Sequence, residues 1–271
     1  MASRALPVSK LKARRRRLRV IWASVVLGFT LAILVGVVGF SWTPYARINT
    51  VEVVGASSVD AAAVQDTVLK ATRGTYGYVF AKNNIFLYPR ENIEKGLLAS
   101  YPVFGEVEIQ HSGLHTLVVA ITERTAVALW CGESVASSSA CFLLDSSGVS
   151  YTPAADFSGQ TYVKYYGHVS NVPPQFVTPP QFKEIYATAE ALRTQARGET
   201  PTQVEVKNTE VHITFESGFK LFYSSLDNGA SVLERLSLAM QAEPFVTKKL
   251  FDFEYLDLRF GDKLYYKLKA Q

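Results

Sequence analysis

An uncharged run of 21 residues near the N-terminus constrains this chain more than any other feature. Residues 20–40 read VIWASVVLGFTLAILVGVVGF. As an α-helix, a run of this length measures about 30 Å, which matches the hydrocarbon core of a bilayer. Trp22 lies near one end, and Trp42 and Tyr45 follow the other, where aromatic rings favour the membrane–water interface. The run predicts one membrane-spanning helix.

Positive charge is concentrated before this run. Residues 1–19 contain eight cations and no acidic residue, whereas Arg47 is the only cation soon after residue 40. Cationic flanks of a membrane span stay on the cytoplasmic side. We therefore expect the span in the inner membrane, residues 1–19 in the cytoplasm and the rest of the chain outside. A cleaved signal peptide is the alternative; the run is long for one, and residues 41–44 (SWTP) make a poor cleavage site.

The charge of the remaining chain argues against nucleic acid as a partner. The formal net charge is +4, and subtracting the eight cations of the tail leaves −4 for everything after it. A nucleic-acid-binding domain needs positive charge distributed over a folded face. We therefore expect the exterior part to bind proteins rather than nucleic acid.

The chain has two cysteines, Cys131 and Cys141, which bracket the small, polar stretch GESVASSSA. In an oxidising compartment they would close a disulfide loop that stabilises the fold by roughly 3 kcal/mol. Two free thiols are the alternative. A zinc site is disfavoured because no cysteine or histidine pair has the spacing of a zinc finger.

The first part of the exterior predicts the order β-α-α-β-β. Alternation marks a strand at 48–54, and helical periodicity marks a helix near 59–71 with Ser57 and Ser58 as candidate N-caps. A loop at 73–84 and a second helix beginning beside Pro89 follow, and then two alternating strands joined by a turn at 111–115. This order predicts a three-stranded sheet with two helices on one face.

From residue 125 onward, short strands dominate. Alternation and turn signals predict a mostly antiparallel sheet with two helices. The predicted strands are 126–130, 142–145, 149–152, 161–166, 203–207, 210–215, 219–223, 252–260 and 263–268, and the predicted helices lie near 181–196 and 229–242.

We find no residue pattern that indicates catalysis, a metal or a cofactor. The four histidines (His111, His115, His168 and His212) fall in predicted strands or turns, without helical metal-binding spacing. The carboxylates Asp252, Glu254, Asp257 and Asp262 lie in or beside the last strands and form no obvious acid–base pair, so we expect a solvated strand face there. The sequence predicts a protein that is not an enzyme and takes no small-molecule substrate.

The last two strands carry the candidate binding residues. Strict alternation puts Tyr255, Asp257 and Arg259 on one face and Leu256, Leu258 and Phe260 on the other. The final strand, with Leu264, Tyr265 and Tyr266, is a candidate sheet edge, and an exposed edge can pair with a partner strand. Tyr and Arg also concentrate binding energy in interfaces. Core packing with an edge protected by lysines is the alternative reading.

Five segments, taken in order, resemble the bacterial FtsQ/DivIB cell-division family. INTVEVVGASSVDAAAVQDTV and NNIFLYPRENIEKGLLASYPVFGEVEIQ are similar to the family's POTRA domain. LVVAITERTAVALW is similar to the passage into its β domain, CFLLDSSGVSY to a D-x-x-G hairpin, and FEYLDLRFGDKLYYK to the C-terminal strand pair.

The resemblance implies an α+β protein with four parts: the cytoplasmic tail (1–19), the transmembrane helix (20–40), a POTRA-like domain (47–124) and a β domain (125–271). It implies a scaffold at the division septum that links early and late division proteins. FtsB- and FtsL-like proteins would bind through the C-terminal edge by strand addition, and other division proteins would bind the POTRA-like domain. The implied contact residues are Tyr255, Arg259 and Phe260, with Leu264, Tyr265 and Tyr266 on the edge. The alternative is a secretion or envelope-assembly factor whose POTRA-like domain chaperones polypeptides.

Overall fold

The computed structural model describes residues 8–137, 140–155, 161–170, 174–196, 198–261 and 263–270. They form a mixed α+β protein with an N-terminal apolar helix and a large, mostly antiparallel sheet. The chain divides into two compact units at the peptide between Glu123 and Arg124.

The N-terminal helix α1 covers Val8–Ser41 and begins within the predicted cytoplasmic tail. Its apolar side chains from residue 20 onward lie almost entirely exposed, because nothing in the described part of the chain packs around them. Exposed apolar surface of this extent is stable only in an apolar solvent such as a bilayer. The tail prediction for residues 1–7 lies outside the described residues.

The first unit contains a three-stranded sheet in the order β1-β5-β4. Strand β1 (Thr50–Val54) is parallel to β5 (Thr116–Glu123), which is antiparallel to β4 (Phe104–Ser112). Helices α2 (Ala61–Ala71) and α3 (Arg90–Ser100) pack on one face through Val64, Val68, Ile93 and Leu97, which are all buried. The helices bury the alternate strand residues Val107, Ile109, Leu117, Val119 and Ile121.

Two details of this unit differ from the expectation. The N-cap of α2 is Asp60, whose carboxylate accepts the Ala62 amide at 3.0 Å; Ser57 and Ser58 are instead bound to Glu123. The predicted loop at 73–84 contains a short hairpin of β2 (Thr75–Tyr76) and β3 (Phe80–Ala81). Gly55 follows the last residue of β1. Only glycine fits at this position, because a Cβ there would lie 2.1 Å from the Ile121 carbonyl oxygen.

The second unit is built on a nine-stranded sheet in the order β14-β13-β12-β11-β10-β9-β6-β7-β8. Two helices, α4 (Pro179–Gln195) and α5 (Gly229–Ala239), bury its core through Phe182, Ile185, Leu192, Val232 and Leu236. The strands are β6 (Ala126–Trp130), β7 (Phe142–Asp145), β8 (Ser150–Pro153), β9 (Lys164–Tyr166), β10 (Pro201–Lys207), β11 (Glu210–Phe215), β12 (Lys220–Ser224), β13 (Phe253–Phe260) and β14 (Lys263–Leu268).

Several element boundaries in this unit differ from the expectation by one to three residues. Helix α4 begins at Pro179 rather than 181, because the Thr178 hydroxyl donates to the Gln181 side chain at 2.7 Å and a proline fits the first helical position. Helix α5 ends at Ala239 and β9 begins only at Lys164. Asp262, one of the carboxylates beside the last strands, lies outside the described residues.

Candidate functional site

Strand β14 is an edge strand. It pairs with β13 on one side, and no other described strand pairs with its second side. Alternate amides and carbonyls of an edge strand point away from the sheet, where a partner strand can bind them. Five of the six β14 side chains are exposed, and Leu264 is the half-buried exception.

A shallow groove lies beside this edge on the face of the sheet opposite the helices. Its volume is about 470 Å³. We call it the terminal groove; it is lined by Phe222, Tyr255, Asp257, Arg259, Phe260 and Tyr265. Phe260 and Tyr265 are 55% and 50% exposed, and their rings meet edge to face at 5.2 Å. The groove therefore offers two large aromatic side chains that could be covered by a partner.

Arg259 is the electrostatic centre of the terminal groove. Its Nε and Nη2 donate to the two Asp257 carboxylate oxygens at 2.9 and 2.6 Å, and its Nη1 lies 2.5 Å from Glu210. The guanidinium also lies 5.6 Å from the ring centres of Phe222 and Phe260, within the range of cation–π attraction. Arg259 is thus fixed before any partner arrives.

The charge states of this pair follow from their contacts. Burial opposes ionisation of Asp257, but the hydrogen bonds from Arg259 outweigh it and lower the carboxyl pKa. The same hydrogen bonds to Asp257 raise the pKa of Arg259. Both groups are therefore ionised at neutral pH.

The structure corrects the predicted face of Phe260. Alternation puts it with Leu256 and Leu258, which are buried, but Phe260 lies in the groove with Tyr255 and Arg259. The cause is a bulge: Asp257 pairs with Tyr265 and Phe260 with Lys263, so two residues of β13 oppose one residue of β14. One extra residue reverses the side on which the following side chain points.

The structure separates the six predicted contact residues into two groups. Tyr255, Arg259, Phe260 and Tyr265 line the terminal groove. Leu264 packs against the main core, and the Tyr266 ring meets Phe245 and Phe253 edge to face at 5.4 and 5.8 Å. Leu264 and Tyr266 therefore hold β14 on the sheet, although Tyr266 remains 44% exposed.

Sequence reasoning missed three members of the site. Phe222 and Glu210 come from β12 and β11, distant in the chain, and alternation in those strands already places both on the helix-free face. Asp257 was expected on a solvated face but is only 5% exposed, because Arg259 covers it. The spacing Asp-x-Arg on one strand face was the available signal.

The helix-free face continues toward the disulfide loop. Cys131 and Cys141 are bonded, and Val135 within the loop lies beside a second hollow of about 250 Å³ that reaches Phe222. The Val135 amide donates to Glu205 of β10 at 3.4 Å. The loop thus lies on the same face as the terminal groove.

The three-stranded sheet of the first unit also has edges, at β1 and β4. On β4, the Ile109 amide donates to the Glu94 carboxylate at 3.3 Å, and Glu94 is itself held by Arg90 at 2.8 Å. Helix α3 therefore occupies part of the outer edge of β4, and this edge is less available than that of β14.

No group of three or more histidine, cysteine or carboxylate side chains that could hold a metal is found within the described ranges. His212 contacts Glu210 at 3.2 Å, its ring lies tilted 4.5 Å from that of Phe222, and His115 contacts the Arg47 carbonyl at 3.0 Å. These contacts give both histidines structural partners.

One helix in the described part of the chain, Arg14–Ser41, is long and apolar enough to cross a membrane. This agrees with a single-pass membrane protein; a signal sequence meets the same criterion. No protein-family model matches the chain, and neither does any curated protein.

Proposed function

We propose that this chain is a membrane-anchored scaffold of the bacterial division machinery, of the FtsQ/DivIB type, that binds FtsB- and FtsL-like proteins by strand addition at β14. The observation that carries the proposal is an unpaired edge strand directly beside a groove with exposed aromatic side chains and a fixed arginine. The edge supplies main-chain hydrogen bonds, and the groove supplies side-chain specificity.

In this proposal α1 holds the protein in the cytoplasmic membrane with its basic tail inside. The first unit acts as a POTRA-like domain next to the membrane, and the second unit acts as the β domain. The Cys131–Cys141 disulfide supports an exterior location, because such bonds persist in oxidising compartments. The protein performs no reaction and acts by holding its partners in register.

The groove offers the kind of anchors that dominate interface energetics. Phe260 and Tyr265 are half exposed in the free chain and would be covered by a strand added to β14. Arg259 is already bound to Asp257 and Glu210, so a partner does not meet the entropic cost of ordering it. A partner strand with an apolar side chain toward the aromatic pair fits this surface.

The test is co-purification with the FtsB- and FtsL-like proteins of the same bacterium, co-expressed with the full chain. The variant Phe260→Ala with Tyr265→Ala removes the aromatic pair and leaves Arg259 and its ion pairs. We expect partner capture to fall about tenfold or more, because each central aromatic anchor is worth about 1–2 kcal/mol. Phe251→Ala is the matched control, since Phe251 is 46% exposed and lies outside the groove. Unchanged capture by a folded double variant would exclude the site.

The alternative function, a secretion or envelope-assembly factor, relies on the edges of the first unit, and the nine-residue edge strand β4 is the observation that favours it. Deleting residues 263–271 separates the two. The scaffold proposal expects filamentous cells, whereas the chaperone function expects normal division with the deletion in place.

A further inference from the structure

The first unit carries an exposed apolar patch. It lies on the segment between α2 and α3, where Tyr78 is 96%, Phe86 60% and Val79 42% exposed. We call these three residues the hairpin patch. An exposed apolar patch can mark a site that binds a protein or a membrane.

The hairpin patch is tied directly to the exit of α1. The Trp42 indole donates to the Val79 carbonyl at 2.8 Å, and the Asn84 side-chain amide donates to the Ser41 carbonyl at 3.3 Å. The rings of Phe86 and Phe40 lie 6.4 Å apart. The patch and the end of the helix therefore form one surface.

These contacts fix the depth of the patch. Phe40 is the last residue of the predicted span 20–40, which as a helix measures about 30 Å and fills the hydrocarbon core. Phe86 lies against Phe40, and Val79 lies at the level of Trp42. In a membrane, the hairpin patch is consequently within one side-chain length of the hydrocarbon boundary, where aromatic rings are favoured.

The charge around the patch suits anionic lipid. Residues 67–90 contain four cations and no acidic residue; Lys70 and Arg90 are paired with Asp66 and Glu94, so Arg73 and Lys82 carry the charge available to headgroups. Lys82 also lies over the Tyr76 ring at 5.2 Å, which keeps a cation beside the aromatic side chains. Cations beside an interfacial aromatic patch attract anionic phospholipid headgroups.

The backbone at Tyr78 is a second unusual feature. Its φ is +64°, a left-handed conformation that bulky side chains rarely adopt, and it follows Gly77 at φ +54°. Nothing in the described part of the first unit covers the Tyr78 ring. A costly conformation that projects an aromatic ring outward is consistent with a binding role.

We infer that the hairpin patch inserts into the interface of the bilayer that α1 crosses, with anionic phospholipid as its partner. This gives the first unit a second membrane attachment and fixes its orientation on the membrane surface. The inference depends on the membrane anchor of the proposed function and is independent of strand addition at β14.

The test measures the depth of single fluorophores in the full chain. The two native cysteines are bonded to each other, so one introduced cysteine gives one labelling site. The labelled variants are Tyr78→Cys and Phe86→Cys in the patch, Val54→Cys as the exposed apolar control at the far end of β1, and Val35→Cys in α1. Each is reconstituted in nanodiscs of phosphatidylcholine with phosphatidylglycerol, and quenching is compared between aqueous iodide and lipids spin-labelled near the headgroup or deep in the acyl chain.

We expect positions 78 and 86 to be quenched by the headgroup-proximal spin label and shielded several-fold from iodide relative to position 54. Position 35 should be quenched by the deep label. Shielding at 35 with full iodide access at 78 overturns the inference and leaves the anchor intact. Protection of 86 alone also overturns it, because Phe86 is partly covered by Phe40 itself. Iodide access at 35 overturns the anchor and the inference together.

Discussion

Glu123 shows how one side chain closes the first unit. Its carboxylate accepts four hydrogen bonds, from the amides and hydroxyls of Ser57 and Ser58, at 2.7 to 2.8 Å. These bonds, with the Ser57 hydroxyl contributing most, lower the pKa of Glu123 to about 2. The contact joins the end of β5 to the segment that leads from β1 into α2.

We expect the free energy of unfolding to depend on pH through Glu123. Because the folded pKa of Glu123 lies below its ordinary value of 4.5, its stabilising contribution is fully present above about pH 5 and is lost as the pH falls toward 2. Glu123→Gln should cost about 1–2 kcal/mol at neutral pH and remove that loss on acidification. Urea titrations of the full chain, followed by the Ser57 and Ser58 amide resonances, measure this. Glu52→Gln, an exposed change on β1, is the control and should behave as wild type.

The ion pair of Arg259 and Asp257 also makes the stability of the fold depend on the ionisation of a carboxylate. Arg259→Ala removes the charge-assisted hydrogen bonds to Asp257 and also uncovers this carboxylate to water, so we expect a loss of about 1–2 kcal/mol in the free energy of unfolding. The pH dependence identifies the cause. The wild-type contribution is lost as the pH falls, since the Asp257 pKa is lowered, whereas the variant lacks the hydrogen bonds from Arg259 and has no such contribution to lose.

The difference between wild type and Arg259→Ala should therefore narrow in acid. A constant difference from pH 7 to pH 3 would contradict the ion-pair explanation. Asp257→Ala combined with Arg259→Ala should cost less than the sum of the single changes, because the second change removes no remaining pair. Partner-binding tests are for this reason better made at Phe260 and Tyr265.

Side-chain positions in β13 mark the limit of prediction from sequence. Alternation correctly assigns Leu256 and Leu258 to the core, because burial follows the period of two in a regular strand. It fails at Phe260, since the bulge opposite Leu264 depends on how two strands pair and leaves no trace in the β13 sequence alone. The burial of Asp257 was missed because it depends on the position of Arg259.

The disulfide loop is a local element whose contribution is measurable. Cys131 and Cys141 are ten positions apart, and a loop of this size corresponds to about 2–3 kcal/mol. Cys131→Ser with Cys141→Ser should lower the free energy of unfolding by that amount. Reduced wild type should match the double variant in urea titrations, and the double variant itself should not respond to the reductant. A response of the double variant would point to an effect unrelated to this bond.

An exposed edge such as that of β14 needs protection against pairing with a second copy of the chain. Lys263 and Lys267 lie on this strand, and Lys267 is paired with Glu254 at 2.6 Å. Lysines on an edge strand oppose pairing with a second copy. Lys267→Val should therefore cause concentration-dependent self-association, measured by analytical ultracentrifugation in detergent. Lys220→Val is the matched control, because β12 has neighbours on both sides; equal self-association of both variants would show that apolar exposure, and not the free edge, is responsible.

Element identity was more predictable than element boundaries. The amphipathic helices α2 and α3 and the hairpin of β4 and β5 follow from periodicity, because each has one buried face. The order of the nine strands does not follow from periodicity: β9 pairs with β6 and β10 in parallel through connections that carry no local signal. Helix α4 begins two residues before the predicted start at 181, because Pro179 and Pro180 fit the first turn of a helix although prolines are more typical of loops.

The positive charge of the tail and the Cys131–Cys141 disulfide both predict a cytoplasmic N-terminus and a second unit outside the membrane. The eight cations of residues 1–19 precede the apolar span 20–40, and the two cysteines lie in the second unit, where they are bonded. If the tail sets the orientation, the location of the cysteines depends on charges more than a hundred residues away in sequence. Loss of the tail charges would then leave Cys131 and Cys141 as thiols instead of a disulfide.

Replacing the eight tail cations with glutamine leaves Arg47 as the nearest cation to the span, and we expect a large fraction of chains to insert with reversed orientation. In those chains both cysteines face the reducing cytoplasm and stay as thiols. A membrane-permeant maleimide, added to cells without reductant, should label the octa-glutamine variant and leave wild type unlabelled. Exchanging each tail lysine for arginine and each tail arginine for lysine keeps the charge and should leave labelling at the wild-type level. Equal labelling of the wild-type and glutamine chains would show that the tail does not orient the protein.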